Sequence, residues 1–124
     1  MDLPASWNRL PPAALAGAAL GFGLWLLSPF LTGRAEPWDA SFPFYLPAML
    51  AGGAIAGTAF PRRAGAFFLG VWLGQVLAIA VLPGHGGDWF PVGAVTTAVG
   101  GTLALPTYLA ASGLRARRGR PPAG

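Results

Sequence analysis

The stretch Ala64-Gly65-Ala66-Phe67-Phe68-Leu69-Gly70-Val71-Trp72-Leu73-Gly74-Gln75-Val76-Leu77-Ala78-Ile79-Ala80-Val81-Leu82 carries no charge and one strongly polar side chain, Gln75. Pro61-Arg62-Arg63 bounds it on one side and Pro83-Gly84 on the other. A bilayer's hydrocarbon core is about 30 Å thick, so a helical span needs roughly 20 mostly apolar residues. Length, composition and boundaries therefore predict a transmembrane helix over 64–82.

Three more uncharged runs of this kind flank it, over about 13–31, 42–60 and 90–114. Pro11 and Pro12 precede the first, where a missing backbone donor costs little. Pro91 falls in the first turn of the last run, and Gly113 lies near its end. Pro47 and Pro106 fall inside the second and fourth runs, and each is expected to bend its helix. Backbone groups in lipid must bond within their own segment, so each run is helical. The runs do not alternate polar with apolar residues, which excludes barrel strands. The expected fold is all-α, a four-span transmembrane helix bundle over 1–114. A basic, Pro-rich cytoplasmic tail over 115–124 is expected to be disordered.

Composition agrees. Of the 124 residues 54% are hydrophobic and 10% charged, against about a quarter charged in a soluble domain. There is no cysteine, which removes disulfides, thiolate metal sites and thiol catalysis. All eight basic residues are arginine and the net charge is +4. Because they stand at the ends of apolar runs, membrane orientation explains them better than nucleic acid does, and no nucleic-acid partner is expected.

Arg9, Arg62, Arg63, Arg115, Arg117, Arg118 and Arg120 fall before the first run, between the second and third, and after the fourth. The other side holds Arg34 with Glu36, Asp39 and Asp88. Arginine-rich loops stay cytoplasmic, so both termini are expected there. Trp7, Trp38 and Trp89 then fall near the interfaces, where amphipathic rings prefer to sit. The first run is not read as a cleaved signal peptide. Its leader has Arg9 opposed by Asp2, and Thr32-Gly33-Arg34-Ala35 is not a small-x-small site. The compact, loop-poor design suits a bacterial inner membrane.

The halves show similarities. Gly23-Leu24-Trp25-Leu26 matches Gly70-Val71-Trp72-Leu73. Phe42-Pro43 before Gly52-Gly53 matches Phe90-Pro91 before Gly100-Gly101. The shifts are 47 and 48 residues. This suggests two tandem two-helix hairpin repeats, related by an axis along the membrane normal.

Helices in lipid associate through close packing and hydrogen bonds, which small residues permit. Gly17 and Gly21, Gly53 and Gly57, and Gly70 and Gly74 place small faces on the first three spans. Gly93, Thr97, Gly100 and Gly101 do so on the fourth. Internal packing is the primary role expected of these faces, and contact with another copy or a partner subunit the second.

Gln75 is the polar residue that matters most. An unpaired amide in hydrocarbon costs several kcal/mol, on the order of 4–8 by the most apolar reference, so it must find a partner. Thr96, Thr97 and Thr102 on the fourth span are the candidate partners. The loop around His85 and Asp88 offers two metal ligands, and Glu36 and Asp39 lie on the same side. A closed zinc site wants four ligands, and Gly84, Gly86 and Gly87 favour a flexible turn, so no metal and no cofactor are expected. Ser28, Thr58 and Ser112 are read as hydroxyls bonding back to their own helices. No nucleophile elbow or phosphate loop is present. The expected function is a noncatalytic subunit or scaffold of a membrane complex, surrounded by the lipid bilayer and bound to its own copies or to a larger membrane protein. The alternative is a small oligomeric transporter or channel.

Overall fold

A computed structural model describes residues 11–34, 37, 44–82 and 90–119, and among these there is no strand. Helix α1 runs Pro12–Thr32, α2 Tyr45–Ala59, α3 Ala64–Val81, α4 Phe90–Gly101 and α5 Leu105–Arg118. A 3₁₀ turn, Thr102–Ala104, joins α4 to α5. Three helical segments are long and apolar enough to cross a membrane: Pro12–Thr32, Ala64–Val81 and Pro91–Arg118. Helix α2, with 15 residues, is shorter. At 1.5 Å per residue it is about 22 Å long, against about 32 Å for α1.

The exterior is apolar as well as the interior, unlike that of a soluble domain. Phe30 is 82% exposed, Ile55 71% and Val95 68%, whereas Gln75, Ser28 and Thr97 are fully buried. Water would not tolerate so continuous an apolar exterior, but hydrocarbon does. The interior is organised by glycines and hydrogen bonds, because burying apolar surface drives nothing between helices that already sit in an apolar solvent.

The pairing follows from those glycines. A methyl group on Gly17 would land on the Phe67 carbonyl oxygen, and one on Gly21 on that of Val71. Reciprocally, Gly70 abuts the Ala14 carbonyl and Gly74 that of Ala18. Residue numbers rise together along both helices, so α1 and α3 lie parallel in close backbone contact. Exchanging the helices maps each of these contacts onto another, with a common shift of 53 residues. The sequence matches carry a different shift, and their two tryptophans occupy different surroundings: Trp25 is buried and Trp72 partly exposed. Likewise Gly53 abuts the Ala104 carbonyl and Gly57 that of Tyr108, so α2 and α5 also lie parallel. Thr107 Oγ1 donates to the Leu50 carbonyl across the same interface at 2.6 Å. Phe67 of α3 stacks on Tyr108 of α5 with ring centroids 4.9 Å apart, tying the two pairs together.

The prolines act differently from expectation. Helix α2 begins at Tyr45 and not near residue 42, so Pro47 lies in its first turn. A donor missing there has no intrahelical acceptor to lose, and Pro47 does not interrupt the helix. Pro106 does coincide with a change of winding. It cannot bond the Thr102 carbonyl, and the Leu105 N–H takes that carbonyl in 3₁₀ fashion instead. Pro29 sits inside α1, and four residues on Gly33 ends the helix in the left-handed conformation (φ 72°).

A second correction concerns the tail. Helix α5 continues through Arg118, so the expected disorder does not begin at Arg115. An Arg115 Nη1–H donates to the Thr58 and Ala59 carbonyls at the end of α2. Four terminal carbonyls of any helix lack intrahelical donors, and a cation is favoured at that end of the dipole.

Candidate functional site

Gln75 lies on the buried face of α3, where four helices converge. Its Oε1 accepts from the Tyr45 hydroxyl at 2.8 Å and from the Trp25 indole N–H at 3.3 Å. Its Nε2 donates to the Thr97 backbone carbonyl at 3.4 Å. One amide thus joins α3 to α1, α2 and α4. The Tyr45 bond has the near-ideal length and is the strongest of the three.

Two glycines make room for this junction. The Gly21 hydrogen faces the Gln75 Cγ, where an added methyl carbon would stand 3.1 Å away. A methyl on Gly100 would occupy the position of the Tyr45 hydroxyl. Gly101 lies beside the Phe68 ring, and Gly93 faces Ile79.

The three threonines divide. Thr97 is fully buried and meets Gln75 through its carbonyl, while its hydroxyl donates to the Ala94 carbonyl at 2.9 Å. Thr96 and Thr102 are exposed and bond back to Val92 and Val99 of their own segment. The same Ala94 carbonyl also accepts from the Trp72 indole at 2.9 Å, which gives α3 and α4 a second polar link. Every buried side-chain nitrogen and oxygen among the described residues has a partner.

A second polar cluster closes the opposite end. The Tyr108 hydroxyl donates to the Phe60 carbonyl and accepts from the Arg63 N–H at 3.1 Å. The Ser112 hydroxyl accepts from the Arg62 N–H at 3.1 Å, one turn further along α5. Arg62 itself adopts a left-handed conformation (φ 67°). Tyr108, Ser112 and Arg115 therefore clamp the whole α2–α3 corner from one face of α5. Ser112 was expected to bond back to its own helix; it accepts across the bundle because the corner presents an unpaired N–H. Ser28 also departs from that expectation, donating forward to the Arg34 carbonyl at 2.7 Å, whereas Thr58 bonds back to Ala54 as expected.

Sequence reasoning missed Trp25, Tyr45 and Tyr108 as polar partners. The signal that could have found the tyrosines is that they are the only two in the chain, each inside an apolar run. His85, Asp88, Glu36 and Asp39, and the Phe42-Pro43 match, lie outside the described residues.

The chain was compared with family models, with curated proteins and with solved structures, and none of the three comparisons found a match.

Replacing Tyr108 by Phe tests the corner clamp. It removes the partner of the Phe60 carbonyl and the Arg63 N–H, at an expected cost of about 1–2 kcal/mol. Limited trypsin digestion should cut faster after Arg62 and Arg63 in Tyr108→Phe than in the wild type. Equal cleavage rates would mean that the hydroxyl does not hold the corner.

Proposed function

We propose that the chain is a noncatalytic subunit or scaffold of a membrane complex, crossing the bilayer four times with both termini cytoplasmic. One observation carries this reading. The amide in the bundle interior, Gln75, spends both its oxygen and its nitrogen on bonds between helices. A group committed on both ends to neighbouring helices is placed to hold a bundle together, not to exchange partners with a passing solute.

The four-span count is supported by direction. Because α1 and α3 run parallel, the chain has to return across the same thickness between them, and α2 is the helix that does so. Its short length is compatible with a span through local thinning or through flanking residues. The reading as two tandem hairpins draws support from the exchange symmetry of α1 and α3. A bacterial inner membrane suits the arginine asymmetry and short connections. The exposed apolar surface suits lipid together with further copies or a larger membrane protein.

The alternative, a small oligomeric transporter or channel, has its own supporting observation. The last helical segment is broken by the 3₁₀ turn Thr102–Ala104 beside Pro106, and transport sites are often built at interrupted helices.

Two experiments test these readings. Purification of the tagged protein from native membranes in mild detergent should recover a stoichiometric membrane-protein partner. A pure homo-oligomer would instead favour transport, to be followed by liposome flux with Gln75→Leu. Orientation is tested by single cysteines introduced into this cysteine-free chain. In intact cells an impermeant maleimide should label Gly86→Cys and spare Gly119→Cys. The reverse pattern would overturn the orientation.

A further inference from the structure

We propose that the groove between α2 and α5, at the arginine-rich end of the bundle, is a binding site for one anionic phospholipid. Two adjoining surface hollows of about 580 and 320 Å³ share Thr58 and Arg115. Their volumes lie in the range of small-molecule sites, roughly 300–1,000 Å³. Ile55 lines one hollow, and Ala111 and Leu114 line the other, so the groove is apolar along its length. It opens outward, toward the surface that the apolar exterior assigns to lipid.

The mouth of the groove is cationic. Arg115 lines both hollows, and Arg118, nearly one turn further along α5, lines the second. Arg115 is held in place, since its Nη1 bonds the carbonyls of Thr58 and Ala59. Its remaining donors have no partner among the described residues. No described residue is acidic, so no carboxylate among them offsets these guanidinium groups. A guanidinium offers a fork of donors matched to phosphate oxygens.

An apolar slot that ends in a fixed cation, with a second cation beside it, complements one ligand chemistry. The acyl chain lies along Ile55, Ala111 and Leu114, and the phosphodiester meets Arg115 and Arg118. Charge complementarity selects a lipid with net negative charge, such as phosphatidylglycerol, over a zwitterionic one. The site goes beyond the positive-inside preference, because it depends on the slot as well as on the charge. It rests on bilayer placement, which the cysteine labelling tests separately. A chain labelled as expected yet indifferent to headgroup charge overturns the lipid site alone.

The test is native mass spectrometry of the full chain in detergent supplied with equal amounts of phosphatidylglycerol and phosphatidylcholine. Wild type should retain one phosphatidylglycerol in preference. Arg118→Gln should reduce that preference by about fivefold, the effect of one arginine near an anionic headgroup. Ala111→Phe, which fills the slot and leaves every charge, should reduce it as much. Arg9→Gln, with the same change in charge, should leave it intact. Equal retention of both lipids would overturn the proposal. So would equal losses in Arg9→Gln and Arg118→Gln, which would indicate diffuse attraction. Displacement of the lipid by inorganic phosphate alone would overturn it too, by showing an anion site with no need of the chain. A second copy docking on Ala111, detected by cross-linking, would assign the groove to self-association instead.

Discussion

Gln75→Leu should destabilise the bundle by about 2–4 kcal/mol, because it leaves the Tyr45 hydroxyl and the Trp25 indole without their shared acceptor in an apolar interior. Hydrogen bonds between helices in lipid are usually worth less, about 0.6–2 kcal/mol, since an isolated deletion often finds a substitute. Here two buried donors converge on one oxygen, so a single deletion removes both bonds at once. Unfolding in mixed micelles by added dodecyl sulfate, followed by tryptophan emission, measures the difference. The companion variant is Tyr45→Phe, which removes one of the two donors to Gln75. Alone it should cost about 1 kcal/mol, and the double variant should cost less than the sum of the two, because both changes act on one contact. If Gln75→Leu unfolds like the wild type, the amide is not structural, and the scaffold reading loses its main support.

The larger effect is expected at the α1–α3 contact. Gly70→Val should prevent stable bundle formation, because its Cβ would fall on the Ala14 carbonyl oxygen. A clash with a flexible side chain relaxes cheaply, but here the obstacle is backbone. The two helices would have to separate along the whole stretch from Ala14 to Gly21. Overpacking by a methylene or two costs about 1–3 kcal/mol when side chains can move, and a rigid backbone places this case at or above the top of that range. Gly23→Ala is the matched control, since nothing stands within 4 Å of its added carbon. It should leave stability unchanged or raise it by roughly 0.5–1 kcal/mol through helix propensity. Size-exclusion profiles and thermal aggregation temperatures in detergent distinguish the two. A well-behaved Gly70→Val protein would refute the close approach of α1 and α3.

The helices could be read from residues because each begins in a long run without a charge, and three helical segments are long and apolar enough to cross a membrane. Gln75 could be read for a related reason, since an amide in such a run has to be partnered. Its partners could not. The sequence points to hydroxyls on the fourth run, whereas Gln75 meets a backbone carbonyl at Thr97 and two aromatic donors on other helices. Every helix residue has a carbonyl, so composition gives no hint of which one a bent or broken segment turns inward.

The glycine pairs were visible as spacings, but a spacing does not name the face it meets. Nothing in Gly17 and Gly21 says that they lie against α3 and not α2. Arg115 shows the converse. Its charge read as the start of a cytoplasmic tail, and only the end of α2 beside it reveals that its guanidinium serves the carbonyls of another helix. The ends of α2 also escaped reading, because Phe42 and Pro43 are as apolar as the helix they precede.

The parallel pairing has a consequence for synthesis. Between α1 and α2, and between α3 and the last segment, glycines meet side chains only; the contacts of glycine on backbone carbonyls join each hairpin to the other. A ribosome that has released α1 and α2 has delivered two helices whose grooves are still vacant. The first interface closes when α3 emerges, and the second only after α5. The two halves are interlaced like clasped fingers. A nascent chain stopped between them leaves both sets of exposed carbonyls and glycines facing lipid, open to the insertion machinery or to quality-control proteases until the last helix arrives.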